Sequence, residues 1–162
     1  MPELPEVETV VRGLKKTVIG KTIDSVSVKN TARIFPSKKK FTSILTGATF
    51  KEAARHGKNI LLKLNNDYTL WVHLKMTGHF YYLPRTETIG KHDHVVFGLK
   101  DDSYNLRFND YRRFGRLRLF PSLDIWKQDG LADLGPEPLT MAADDFVNLF
   151  RSHRRMIKPA LL

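Results

Sequence analysis

The chain has 162 residues, enough for one domain or one domain plus a fragment. Its 27 Lys and Arg against 17 Asp and Glu give a formal charge of +10, which points to a polyanion, nucleic acid before an anionic membrane; a basic protein with no polyanion is the plainer alternative. There is no cysteine, so disulfides and thiolate zinc sites are excluded within the chain, and no apolar run approaches the ~18–20 residues of a membrane span.

The first residues are acidic and no apolar stretch follows them, which reads against a signal peptide and makes the cytoplasm the expected compartment. They instead predict a helix that begins almost at the start of the chain. Pro5 suits its first position, and Glu6 and Glu8 favour the positive end of the helix dipole. Val7, Val10, Val11, Leu14 and Val18 form one apolar stripe, Lys15 and Lys16 lie in the last turns, and Gly20 closes the helix. A packed helix would hold the terminal amine in place. If Met1 is removed, Pro2 offers a secondary amine; an α-amino group has a pKa near ~8, so more of it is neutral at pH 7 than of a lysine. A neutral amine can attack a sugar C1′ and form an iminium, with Glu3 as the adjacent proton donor or shuttle. An ordinary capped amphipathic helix accounts for the same pattern without chemistry.

Further along, Ile23, Val26 and Val28 among polar neighbours predict a half-buried strand between Lys21 and Asn30. Thr31 to Lys40 reads as a loop with a solvated lysine run at its end, and Phe41 to Leu45 as a short helix ended by Gly47. Strands are predicted over Ile60–Leu64, Tyr68–Lys75, His79–Leu83, Val95–Leu99, Tyr104–Phe108 and Arg116–Phe120, a spacing that favours a sandwich or barrel over a parallel sheet. Leu134-Gly-Pro-Glu-Pro138 looks like a boundary. Beyond it Thr140 can cap a helix with Asp144 and Asp145 early, Phe146, Leu149 and Phe150 apolar, and a basic end at Arg151, His153, Arg154 and Arg155.

Four short stretches carry candidate chemistry. In Arg55-His-Gly-Lys-Asn59 a lysine follows a glycine just ahead of a buried strand; a surface lysine in a turn is the plainer reading. In His73-Leu-Lys-Met-Thr-Gly78, Met76 sits at a tip between strands and could wedge into a base stack, or be half-buried at a sandwich end. Asp110-Tyr-Arg-Arg-Phe-Gly115 puts an aromatic and two guanidiniums on a turn, suited to filling the gap that base flipping leaves, or to a plain cation–π cluster. His92-Asp-His94 would put two histidines on one strand face, a possible metal pair, but no further ligands cluster nearby.

These motifs, with Pro2-Glu-Leu-Pro-Glu-Val-Glu8, Leu134-Gly-Pro-Glu-Pro138 and Ile157-Lys-Pro159, resemble the formamidopyrimidine-DNA glycosylase family in order along the whole chain. The resemblance implies a mainly β fold with flanking α: a β-sandwich catalytic domain over 1–134 with an N-terminal helix, then a linker and the first helix of a truncated helix-two-turn-helix domain over 135–162. It implies a bifunctional DNA glycosylase and AP lyase that removes oxidised purines, 8-oxoguanine and formamidopyrimidines, in base excision repair. Pro2, Glu3 and Lys58 would be catalytic, Lys58 serving phosphate binding and elimination. Met76, His92, Arg112, Phe114, Arg154 and, more weakly, Lys158 would meet DNA. The partner would be damaged double-stranded DNA, bound by a monomer in the bacterial cytoplasm near the nucleoid. No metal or cofactor is expected in this chain, whereas the full-length family usually carries zinc in a C-terminal zinc finger. Tyr111 departs from the family, where proline is common at that place. Alternatives are an endonuclease VIII-like enzyme for oxidised pyrimidines, against which Leu4 argues because that branch usually has glycine there, or a DNA-binding fragment or paralogue without catalysis.

Overall fold

The computed structural model describes residues 2–137, 140–151 and 156. The chain divides into two compact units, 1–132 and 133–162.

The first unit opens with helix α1 (Leu4–Thr17), capped at Glu3, so Pro5 is its second residue, one later than the sequence suggested. Both positions have a free N–H in any helix, so proline costs nothing at either. Val7, Val11, Leu14 and Val18 are buried as the stripe requires. The strands are β1 (Ile23–Val28), β2 (Ile34–Phe35), β3 (Phe50–His56), β4 (Asn59–Leu64), β5 (Tyr68–His73), β6 (Gly78–Pro84), β7 (Asp93–Leu99), β8 (Tyr104–Asp110) and β9 (Arg116–Pro121), with helix α2 (Lys38–Leu45) between β2 and β3. Two corrections follow. The segment read as a loop contains β2 and the first turn of α2, and the predicted short helix starts earlier, at Lys38.

The strands form two sheets, ordered β1-β7-β8-β6 and β2-β9-β5-β4-β3, packed on one core; Phe50 of β3 meets Phe97 of β7 edge-on, centroids 6.3 Å apart. The helices close the two open sides. α1 packs on β3 and β6, the outer strands at one side, and α2 packs on β2 and β1 at the other. Covering those edges keeps their unpaired backbone from meeting other chains.

In the second unit, α3 (Ala143–Arg151) carries Asp144 and Asp145 in its first turn. It begins three residues after the expected cap: Phe146 N–H donates to Ala142 O, while Thr140 N–H donates to Glu137 O. No described helix is long and apolar enough to cross a membrane.

Candidate active site

The catalytic candidates meet at the start of α1. Pro2 is half-buried, one residue before the cap. Glu3 N–H donates to Glu6 Oε2 at 2.6 Å, half of a capping box that fixes the first turn. The Glu3 carboxylate, the other acceptor of that box, also faces Lys58, whose Nζ lies 2.7 Å from Glu3 Oε2. Lys58 holds its place because β3 and β4 are joined by a two-residue turn, Gly57-Lys58, with His56 paired to Asn59. Gly57 has φ +55, as the first residue of a type II′ turn requires. The hydrogen bond and positive charge of Lys58 hold the Glu3 carboxyl below its ordinary pKa. At neutral pH Glu3 is therefore a carboxylate, fit to accept a proton before it can give one.

A second group gathers the expected DNA-facing residues, and its centre is Asp110. This carboxylate is buried. Its Oδ1 accepts from the Thr77 hydroxyl and from Arg112 N–H at 3.2 Å, and Oδ2 accepts from Gly115 N–H at 2.7 Å. Arg112 N–H also reaches the Thr77 hydroxyl oxygen at 3.0 Å. Asp110 N–H donates to His92 O, and Asp110 O accepts from His94 Nε2. One residue thus ties the Met76 turn, the Arg112–Phe114 loop and the backbone at His92 together. Met76 and Phe114 are exposed on their two turns, and the Arg112 guanidinium lies 5.0 Å from the Phe114 ring. His92 packs on Tyr111, ring centroids 4.8 Å apart.

His73 connects the two groups. It pairs with Asn59, next to Lys58, and with Arg116, next to Gly115. Lys75 N–H donates to His73 Nδ1, so the ring is neutral with its proton on Nε2. Burial, then the charges of Lys75, Arg116 and Lys58, push its pKa down to about 4.

The histidine pair is separated. His94 is buried with Nδ1 against the Thr31 hydroxyl and Nε2 against Asp110 O, which leaves it no free nitrogen for a metal. Arg154 and Lys158 lie outside the described residues. Sequence reasoning passed over Asp110 and His73. The first had a usable sign, an Asp two residues before a loop N–H that it caps in an Asx turn. The second had none, because β4 and β9, which flank it, come from distant parts of the chain.

The family model of the formamidopyrimidine-DNA glycosylase N-terminal domain matches residues 1–117. The chain belongs to this family. It is 42% identical to the formamidopyrimidine-DNA glycosylase of Ligilactobacillus salivarius and 41% to that of Pediococcus pentosaceus, in each case over 100% of this chain and 59% of the relative. The chain therefore spans about three fifths of the length of the relatives it matches. Its fold is similar to that of wild-type Lactococcus lactis Fpg (MutM) in complex with an N7-benzyl-Fapy-dG containing DNA, with TM-score 0.74 and 30% identity, covering 78% of this chain and 46% of that one. A second likeness is to MutM in complex with carbocyclic 8-oxo-G containing DNA, with TM-score 0.74, 29% identity and the same coverage.

Proposed function

We propose that this chain is the catalytic part of a bifunctional DNA glycosylase and AP lyase for oxidised purines. The observation that carries the reading is the contact between Glu3 and Lys58, which holds a family lysine against the first residues of the chain. With Met1 removed, Pro2 passes its proton to the Glu3 carboxylate and its nitrogen attacks C1′ of an everted nucleotide. The N–C1′ bond forms as the glycosidic bond breaks, and the base leaves with a proton. The C1′–O4′ bond of the resulting aminal then opens, O4′ taking the proton held by Glu3, which gives an iminium that acidifies C2′; loss of a C2′ proton expels the 3′ phosphate and cuts the strand. Lys58 supports elimination and binds phosphate, while Met76, Arg112 and Phe114 occupy the vacated stack and His92 meets the backbone.

We place residues 1–134 in the sandwich domain and read 135–162 as a linker and first helix of a helix-two-turn-helix domain, with Arg154 and Lys158 on phosphates. Zinc would belong to a further finger: the chain has no cysteine, and among the described residues no three potential ligands gather. The whole protein would act on duplex DNA as a monomer in the bacterial cytoplasm. The test is cleavage of a duplex with one 8-oxoguanine or formamidopyrimidine against an undamaged duplex and one with an oxidised pyrimidine. Release of the oxidised purine with strand cutting is expected; faster action on the pyrimidine, or binding without base release, would overturn the reading.

A further inference from the structure

The outer face of the five-stranded sheet is divided in two. Register puts Leu61 of β4 and Trp71 of β5 on that face, in line with Arg118 of β9 and Phe35 of β2. A 3-10 turn, Ser122–Lys127, follows β9; its Ile125, with Leu131, covers Leu61 and Trp71. The half over β2 and β9 stays open as a groove of about 500 Å³, lined by Arg33, Phe35, Arg116, Arg118 and Phe120 among others.

The groove gathers arginines without carboxylate partners. Arg12, Arg55, Arg85 and Arg107 each hold a carboxylate, but among the described residues Arg33, Arg116 and Arg118 hold none. Three uncompensated guanidiniums in one groove favour a polyanion. The floor is aromatic: Phe35 and Phe120 stack with centroids 4.9 Å apart, and Arg118 lies 5.1 Å from the Trp71 ring. Phe35 is 48% exposed, an aromatic face left open. Fixed cations beside aromatic faces are the composition of surfaces that track a nucleic-acid strand. Arg116 and Arg118 are two strand residues apart, about 6.6 Å, close to the rise of two nucleotides at about 3.4 Å each. The groove is also continuous with the site. The Arg33 guanidinium lies 5.9 Å from the Phe114 ring, and Arg116 pairs with His73.

We propose that this groove is a second DNA-binding segment, which takes the backbone of DNA flanking the everted nucleotide, phosphates on Arg33, Arg116 and Arg118 and the strand against Phe35. The proposal rests on the DNA-repair reading above and extends it from the lesion to its flank.

The test uses the full-length protein and two lesion duplexes, one ending just beyond the lesion and one extending about two helical turns further. Arg118→Gln is expected to weaken the long duplex about threefold to tenfold, lower its salt slope by about one, and leave the short duplex and its excision unchanged. Arg118→Lys, which keeps the charge, should restore most of the length-dependent affinity. A photo-reactive phenylalanine analogue at Phe35 should cross-link to the long duplex only. Equal loss on both duplexes, loss on neither, or a cross-link to a second protein copy would overturn the groove while leaving the active-site reading intact. Wild-type protein that binds neither duplex would overturn both.

Discussion

Glu3 Oε2 and Lys58 Nζ stand 2.7 Å apart, joining the cap of α1 to the turn between β3 and β4. The folded pKa of Glu3 is depressed, so its contribution is complete above the unfolded value of about 4.3 and is lost only as pH falls below it. The pair is largely exposed, so Glu3→Gln should lower the melting temperature only slightly, and by the same amount throughout roughly pH 6 to 8. It should slow base excision by about 100-fold or more, the scale of a lost acid–base group. Single-turnover excision beside a thermal melt checks this; parallel losses in both would assign Glu3 a structural role.

His73 supplies a pH dependence of the opposite kind to an ion-paired histidine. Its pKa is about 4 in the folded chain against about 6.5 when unfolded, so between those values the unfolded state binds more protons and stability falls with pH. Denaturant titrations at pH 7 and pH 5 should show that loss, and His73→Gln should shrink it. An NMR titration should find the ring neutral, with the proton on Nε2, down to about pH 5.

Thr77→Val removes the hydroxyl that joins the Met76 turn to Asp110, leaving a buried carboxylate short of a donor. The expected cost is about 1–3 kcal/mol. The amides of Arg112 and Gly115 should exchange faster with deuterium while core strands do not, and Thr77→Ser should restore both. Unchanged exchange at Arg112 would show that the two turns are held independently.

Gly115 admits no side chain. A Cβ there would fall 2.5 Å from Phe108 Cζ and 3.0 Å from Asp110 Oδ2. Gly115→Ala should cost about 1–3 kcal/mol by overpacking and, by displacing Phe114, reduce lesion excision more than binding to undamaged duplex. A melt and an excision assay together check it.

The parts that could be read from sequence are those whose cause is local. The α1 stripe and the apolar runs of β4 to β9, continuous in β4 and β7 and alternating in β9, stand in the residues themselves. β3 escaped notice because a register shift between Phe50 and Glu52 breaks its alternation. β2 is two residues long and exists only through its pairing with distant β9. The lysines at the start of α2 read as a solvated run because they are one, on the exposed side of a turn whose buried residues are Phe41 and Leu45. At the site, the motifs lie on turns that the fold brings together, but the contact between Glu3 and Lys58 joins residues far apart in the chain. Likewise, nothing in one segment shows that Asp110 holds two loops.

The most direct measurement is borohydride trapping of the full-length protein on abasic-site DNA, followed by peptide mapping of the adduct. With Met1 attached, the Pro2 nitrogen is a tertiary amide whose lone pair is delocalised, so it forms no iminium. The expected result is a cross-link on Pro2 in protein lacking Met1, and none in protein that retains Met1 but still binds DNA. A cross-link on Lys58, or equal trapping with Met1 retained, would contradict the N-terminal amine as nucleophile.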